Sequence, residues 1–125
     1  FVIVSASSVD GAITWYENDG TQSFTPRTLT TDTNGWGIHV ADLDADGFLD
    51  AIPSGSSSAW LKNNGDKTFT AQSNMSTGGY LQVHAADVDS DGDMDVLSAN
   101  AVVDKIAWYE STTDNTVPTI TGVSL

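Results

Sequence analysis

Apolar and polar positions alternate in short runs along this chain, and no stretch of ten residues carries the spacing of an amphipathic helix. Ala12 to Tyr16 alternates and ends at Asn18-Asp19-Gly20; Ser58 to Lys62 does likewise and ends at Asn63-Asn64-Gly65. Asp-Gly and Asn-Gly supply the positive φ of tight hairpin turns, so each run predicts a strand followed by a turn. Phe24 and Phe69 open the next strands, and Gly35-Trp36-Gly37 and Gly78-Gly79-Tyr80 punctuate the passage beyond them. The expected fold class is all-β.

These elements recur with a period of about 45 residues, which signals an array or a propeller. Trp15 recurs as Trp60, Phe24 as Phe69, His39 as His84 and Asp42 as Asp87, each 45 residues on. Trp60 recurs as Trp108 after 48, because Asn100 to Lys105 carries extra positions. The unit reads as a short strand, an acidic loop, a strand, a strand bearing Trp, a turn, and a strand opened by Phe. On that unit, residues 1–35 are a partial first copy without the inner strand and acidic loop. Residues 36–79 form a complete copy with loop 42–50, and residues 80–116 a third with loop 87–95. Residues 117–125 depart from the pattern, as an irregular last strand or a linker to a following domain.

The acidic loops carry the chemistry. Asp42-Leu43-Asp44-Ala45-Asp46-Gly47-Phe48-Leu49-Asp50 and Asp87-Val88-Asp89-Ser90-Asp91-Gly92-Asp93-Met94-Asp95 both read D-x-D-x-D-G-x-x-D. Carboxylates at positions 1, 3, 5 and 9 repel one another unless a hard cation sits among them, and an all-oxygen set points to calcium rather than zinc or copper. Glycine at position 6 permits the sharp turn, and the carbonyl of Phe48 or Asp93 at position 7 offers a further ligand. The Asp93 side chain is then expected in solvent. A solvated acidic turn accounts poorly for two copies in one format. An EF-hand is argued against, since position 12 falls on Pro53 and Ser98 instead of Glu, and no helix flanks either loop. Two Ca2+ sites are expected, on Asp42, Asp44, Asp46, Phe48 and Asp50, and on Asp87, Asp89, Asp91, Asp93 and Asp95.

Composition narrows the setting. The chain has 125 residues, the size of one ordinary domain, with 39% hydrophobic residues and four Trp to build a core. It has no apolar run approaching the roughly 18 residues of a membrane span. Phe1-Val2-Ile3-Val4 reads as a strand entered mid-stream, which implies a piece of something larger. The formal net charge is −13, and nine of the 17 acidic residues lie in the two loops. Such a surface repels nucleic acid and anionic membrane. Cysteine is absent, so neither a disulfide framework nor a thiol nucleophile is available. Loops of this kind fill best where calcium is millimolar, which places the protein outside the cell or at its surface.

The segments His39-Val40-Ala41-Asp42-Leu43-Asp44 and His84-Ala85-Ala86-Asp87-Val88-Asp89 resemble the FG-GAP/VCBS repeat family, as do the Ile-x-Trp-Tyr-Glu strands at 13–17 and 106–110. The family includes the integrin α-subunit head and many bacterial surface proteins. The resemblance covers about residues 1–112 and implies β-propeller-type four-stranded blades, each loop joining the first two strands of a blade and holding one calcium. Family propellers usually have about seven blades, and propellers in general roughly four to eight. The two and a half to three blades here therefore imply a fragment, a ring completed by other copies, or a stacked array.

Among the remaining residues, Trp15, Trp60 and Trp108 are better read as packing between blades than as sugar platforms, since they recur at one register. Trp36, flanked by glycines, and Tyr80 are the candidates for ligand contact. His39 and His84 are expected to be structural, for instance bonding to a neighbouring loop, and Glu17 and Glu110 to be exposed strand residues. Asn74-Met75-Ser76 fits a glycosylation sequon. No catalytic constellation emerges, so no enzymatic activity is expected. The expected function is a calcium-binding scaffold for adhesion or assembly, with a protein or glycan at the cell surface, or further copies of the chain, as partner. A carbohydrate-binding module and a filament subunit are the alternatives.

Overall fold

A computed structural model of the chain describes residues 3–30, 36–55, 59–74, 81–102 and 104–111. Tyr80, the Asn74-Met75-Ser76 sequon and the tail 117–125 fall wholly or partly outside the described residues. Among the described residues ten strands form three antiparallel sheets, and the all-β expectation holds.

The first sheet has the order β1-β2-β3, from Ile3–Ala6, Ile13–Asn18 and Phe24–Thr30. The second runs β4-β5-β6-β7, from Gly37–Ala41, Asp50–Ser54, Ala59–Asn63 and Phe69–Asn74. The third contains β8 (Leu81–Ala86), β9 (Asp95–Asn100) and β10 (Lys105–Tyr109), with β9 in the middle. Each is a meander in which neighbours in sequence pair in space, the arrangement of propeller-type blades.

The β2–β3 and β6–β7 connections are five-residue turns. They are closed by Asp19 N–H to the Ser23 carbonyl at 3.2 Å and by Asn64 N–H to the Thr68 carbonyl at 3.0 Å. Gly20 and Gly65 take the expected positive φ, and Gln22 and Lys67 do so two positions later. At Gly65 a second constraint applies: a Cβ there would stand 2.7 Å from the Phe48 ring, so the glycine also makes room for that side chain.

The second sheet lies between the other two, which is why β5 is buried along its whole length instead of alternating. Pro53 sits in this central strand, opposite Ile38 of β4. Proline has no N–H to give, and the ladder toward β6 is held at Ala51↔Leu61 without extending through it. Ile13, Ala51 and Leu61 form the core between the first and second sheets, flanked by Val4, Leu29, Ile38 and Phe69. Ala41, Leu43, Ile52, Trp60, Ala85, Val96 and Tyr109 form the core between the second and third.

The repeated tryptophans fill these junctions. Trp15 is buried and meets Phe69 of the second sheet at 5.9 Å between ring centroids, and the Arg27 guanidinium also lies over its ring. Trp60 is buried among Val96, Tyr109 and Ala85. The junctions thus rest on large side chains supplied at one register by successive copies.

Candidate metal centres

Both acidic loops fold to the same backbone. Positions 4 and 6 are left-handed in each, at Ala45 and Gly47 (φ 56° and 89°) and at Ser90 and Gly92 (67° and 101°). The position-1 carboxylate caps its own loop. Asp42 accepts from Asp46 N–H at 3.1 Å and Gly47 N–H at 2.9 Å; Asp87 accepts from Ser90 N–H at 2.7 Å and Gly92 N–H at 3.2 Å. These bonds wind the chain around the point where an ion would sit.

The position-9 aspartates act as braces. Asp50 is fully buried and accepts from Leu43 N–H at 2.9 Å, across its loop, and from Asn63 N–H at 2.8 Å, on the third strand of its sheet. Asp95, equally buried, accepts from Val88 N–H at 3.0 Å and from Ser111 N–H at 2.8 Å. The same carboxylate in each copy therefore ties loop to sheet. Ser111 also donates to the Leu43 carbonyl at 3.4 Å, so the two loops are joined across the junction.

Carboxylate oxygens of Asp42, Asp44 and Asp50 lie within 4.8 Å of one another, and so do those of Asp87, Asp89 and Asp95. The position-5 residues stand outside these tight triads and cap the turn that follows: Asp46 accepts from Phe48 N–H and Asp91 from Asp93 N–H, each at 2.9 Å. Burial, aided by the charges of Asp46 and Asp42, pushes the Asp50 carboxyl up to about 6 against its two backbone bonds. Burial and then the Asp91 charge raise Asp89 and Asp93 as well. One oxygen of Asp44, in a side chain more than nine-tenths buried, has no hydrogen-bond partner. Crowded, partly desolvated carboxylates with an orphaned buried oxygen suit a hard cation, which takes oxygen ligands only. The residues present fit the ion implied by the sequence.

Two expectations need correction. Asp93 is not simply solvated, since one of its carboxylate oxygens is buried and unpartnered. Glu17 is not a free strand residue: it holds Arg27 of its own sheet at 2.8 Å and Lys67 of the second sheet at 2.5 Å, linking two sheets. The histidines meet each other, with ring centroids 4.5 Å apart, where β4 and β8 run side by side. Burial, then the neighbouring imidazole, lowers the pKa of His39. Phe48 lies with its ring over Gly65.

Sequence reasoning missed Lys62. Its ammonium pairs with Asp44, and with Asp46 at 3.0 Å, inside the first loop. The available signal was an exception to a repeat: the residue two after each repeated Trp is Glu17, Lys62 and Glu110.

Trp36 stands apart from both loops. It is 63% exposed and lines an open cavity of about 600 Å3 with Gln82, Asn100, Asp104, Lys105 and Ile106. Among the described residues no helix is long and apolar enough to cross a membrane.

Meandering sheets with an acidic loop at the same connection in two of them define a propeller-type repeat protein whose acidic clusters could hold a metal ion. The FG-GAP-like repeat family matches residues 2–53 and again 51–98. The chain belongs to the FG-GAP-like repeat family. No curated protein matches it.

Proposed function

We infer that the chain is a calcium-binding repeat module of an extracellular or cell-surface protein, acting as a structural scaffold for adhesion or assembly and not as an enzyme. The observation that carries this reading is the pair of oxygen-only triads on one shared backbone. In the first loop Asp42, Asp44 and Asp50 would hold the ion, with Asp46 and the Phe48 carbonyl at the margin. In the second, Asp87, Asp89 and Asp95 would do so, with Asp91 and the Asp93 carbonyl.

Calcium offsets the mutual repulsion of the triads and so fixes each loop against its sheet. Asp95 of the second loop holds Ser111, which also bonds the Leu43 carbonyl, so that loop's order is coupled to the packing between sheets. Excess chelator should lower the melting temperature, and millimolar calcium should restore it. An unchanged melt would refute the calcium reading. Light scattering of the 125-residue chain, with calcium and then with chelator, checks for assembly with further copies. A calcium-dependent rise in mass supports that role, and a monomer in both conditions removes it.

One observation favours a carbohydrate ligand as a second reading. The exposed Trp36 indole borders a cavity that also presents an amide, a carboxylate and an ammonium from Gln82, Asp104 and Lys105. An apolar platform with a few polar groups suits a sugar ring. A glycan array run with calcium, with Trp36→Ala as control, checks this. No hits, or hits unaffected by the substitution, would discard it.

A further inference from the structure

The two triads share a backbone but differ in the residue that approaches them from the third strand of the sheet. Leu61 pairs with Ala51, the residue after Asp50, and Tyr109 pairs with Val96, the residue after Asp95. The next position along is Lys62 in one sheet and Glu110 in the other, so these two are structural equivalents. Lys62 reaches the first loop and pairs with Asp44 and Asp46. At the equivalent position of the third sheet stands Glu110, an acid where the first loop has a base.

We propose that Lys62 is a resident counter-cation of the first loop, making that loop a weak calcium site that keeps its order without calcium, while the second loop is the strong, calcium-dependent one. This rests on the calcium reading above. An ammonium held among the acids of the first loop competes with the incoming ion for the same oxygens. It must also swing away before Asp44 and Asp46 can turn to calcium. The Asp44 side chain is 7% exposed and that of Lys62 31%, so the lysine has a path outward to water while the carboxylate stays in place. The orphaned oxygen of Asp44 shows the lysine's limit: one ammonium satisfies only part of what a six- to eight-coordinate ion would.

In the second loop no cation performs this service among the described residues. With five aspartates and no base at the register position that Lys62 holds in the other sheet, this loop gains more from a divalent cation than the first does. The chain then has two calcium thresholds. At low calcium the second loop fills and fastens Ser111, through Asp95, to the sheet. At higher calcium the first fills and releases Lys62 to the surface.

Calorimetric titration of the full 125-residue chain with calcium chloride tests this. The wild type should show two binding steps whose dissociation constants differ by roughly tenfold or more. Asp89→Asn should abolish the tighter step, and Asp44→Asn the weaker. Lys62→Gln should tighten the weaker step by about tenfold and leave the other in place. Glu110→Lys should loosen the tighter step by a similar factor, which keeps the proposal exposed if the Lys62 variant does not fold. Two equal steps in the wild type, or a folded Lys62→Gln chain with unchanged steps, overturns the inference and leaves calcium binding intact. No binding to any variant or to the wild type overturns both.

Discussion

The junction between the first and second sheets and the one between the second and third use the same register but different means. The first has a small buried core of Ile13, Ala51 and Leu61, capped at its edge by the Lys67–Glu17–Arg27 ion pairs. The second buries seven side chains, takes Leu43 from one acidic loop, and is tied at Ser111 to both loops. At the first junction charge pairing occupies the margin. The comparison teaches that an acidic loop here serves packing. It delivers an apolar side chain and a backbone anchor to the junction that follows it.

Truncation separates the two junctions most sharply. Trp60→Ala should cost about 3–5 kcal/mol in urea unfolding, since a buried indole leaves a cavity that the neighbouring strands cannot fill. Leu61→Ala, on the opposite face and in the smaller core, should cost about 2–3 kcal/mol. Equal losses would mean that the two junctions do not differ in packing. Asp50→Asn follows at about 1–3 kcal/mol even without calcium, because an amide nitrogen would then face one of the two backbone N–H groups the carboxylate accepts.

Smaller effects sharpen the contrast. Lys67→Ala should give a slight loss seen only at the first junction and erased by molar salt, since the lysine side chain is 62% exposed. The second junction should instead respond to pH. His39 is held below its ordinary value of 6.5, so the unfolded chain takes up that proton first. Stability from the neutral ring is present above that value and is lost as the pH falls below it. His39→Gln should flatten that part of a pH series of melts.

Much of this was legible in the sequence, because alternation, glycine position and a fixed period are local signals. The strands opening at Phe24 and Phe69, the junction role of Trp15 and Trp60, and the matching loops could all be read from spacing. Turn length could not. Gly20 and Gly65 announce a left-handed residue, but nothing marks Gln22 and Lys67 as the second one each turn needs. Lys62 and Ser111 were hidden because strand register, not distance along the chain, brings them to the acids. Asp50 and Asp95 looked like ligands only, since a brace is visible only once its two N–H donors are placed. The meeting of His39 and His84 depends on how β4 lies beside β8, which no periodicity encodes.

The hydrogen bond from Ser111 to Leu43 spans 68 residues of chain. Almost everything else in these sheets pairs strands that follow one another, so each meander can form early from short closures that take microseconds. The Ser111 contact cannot. It must await a long loop closure whose entropy is recovered only when the second and third sheets are already built. Folding should therefore be limited by docking of finished sheets, and the seam at Ser111 should be the last part to close and the first to open.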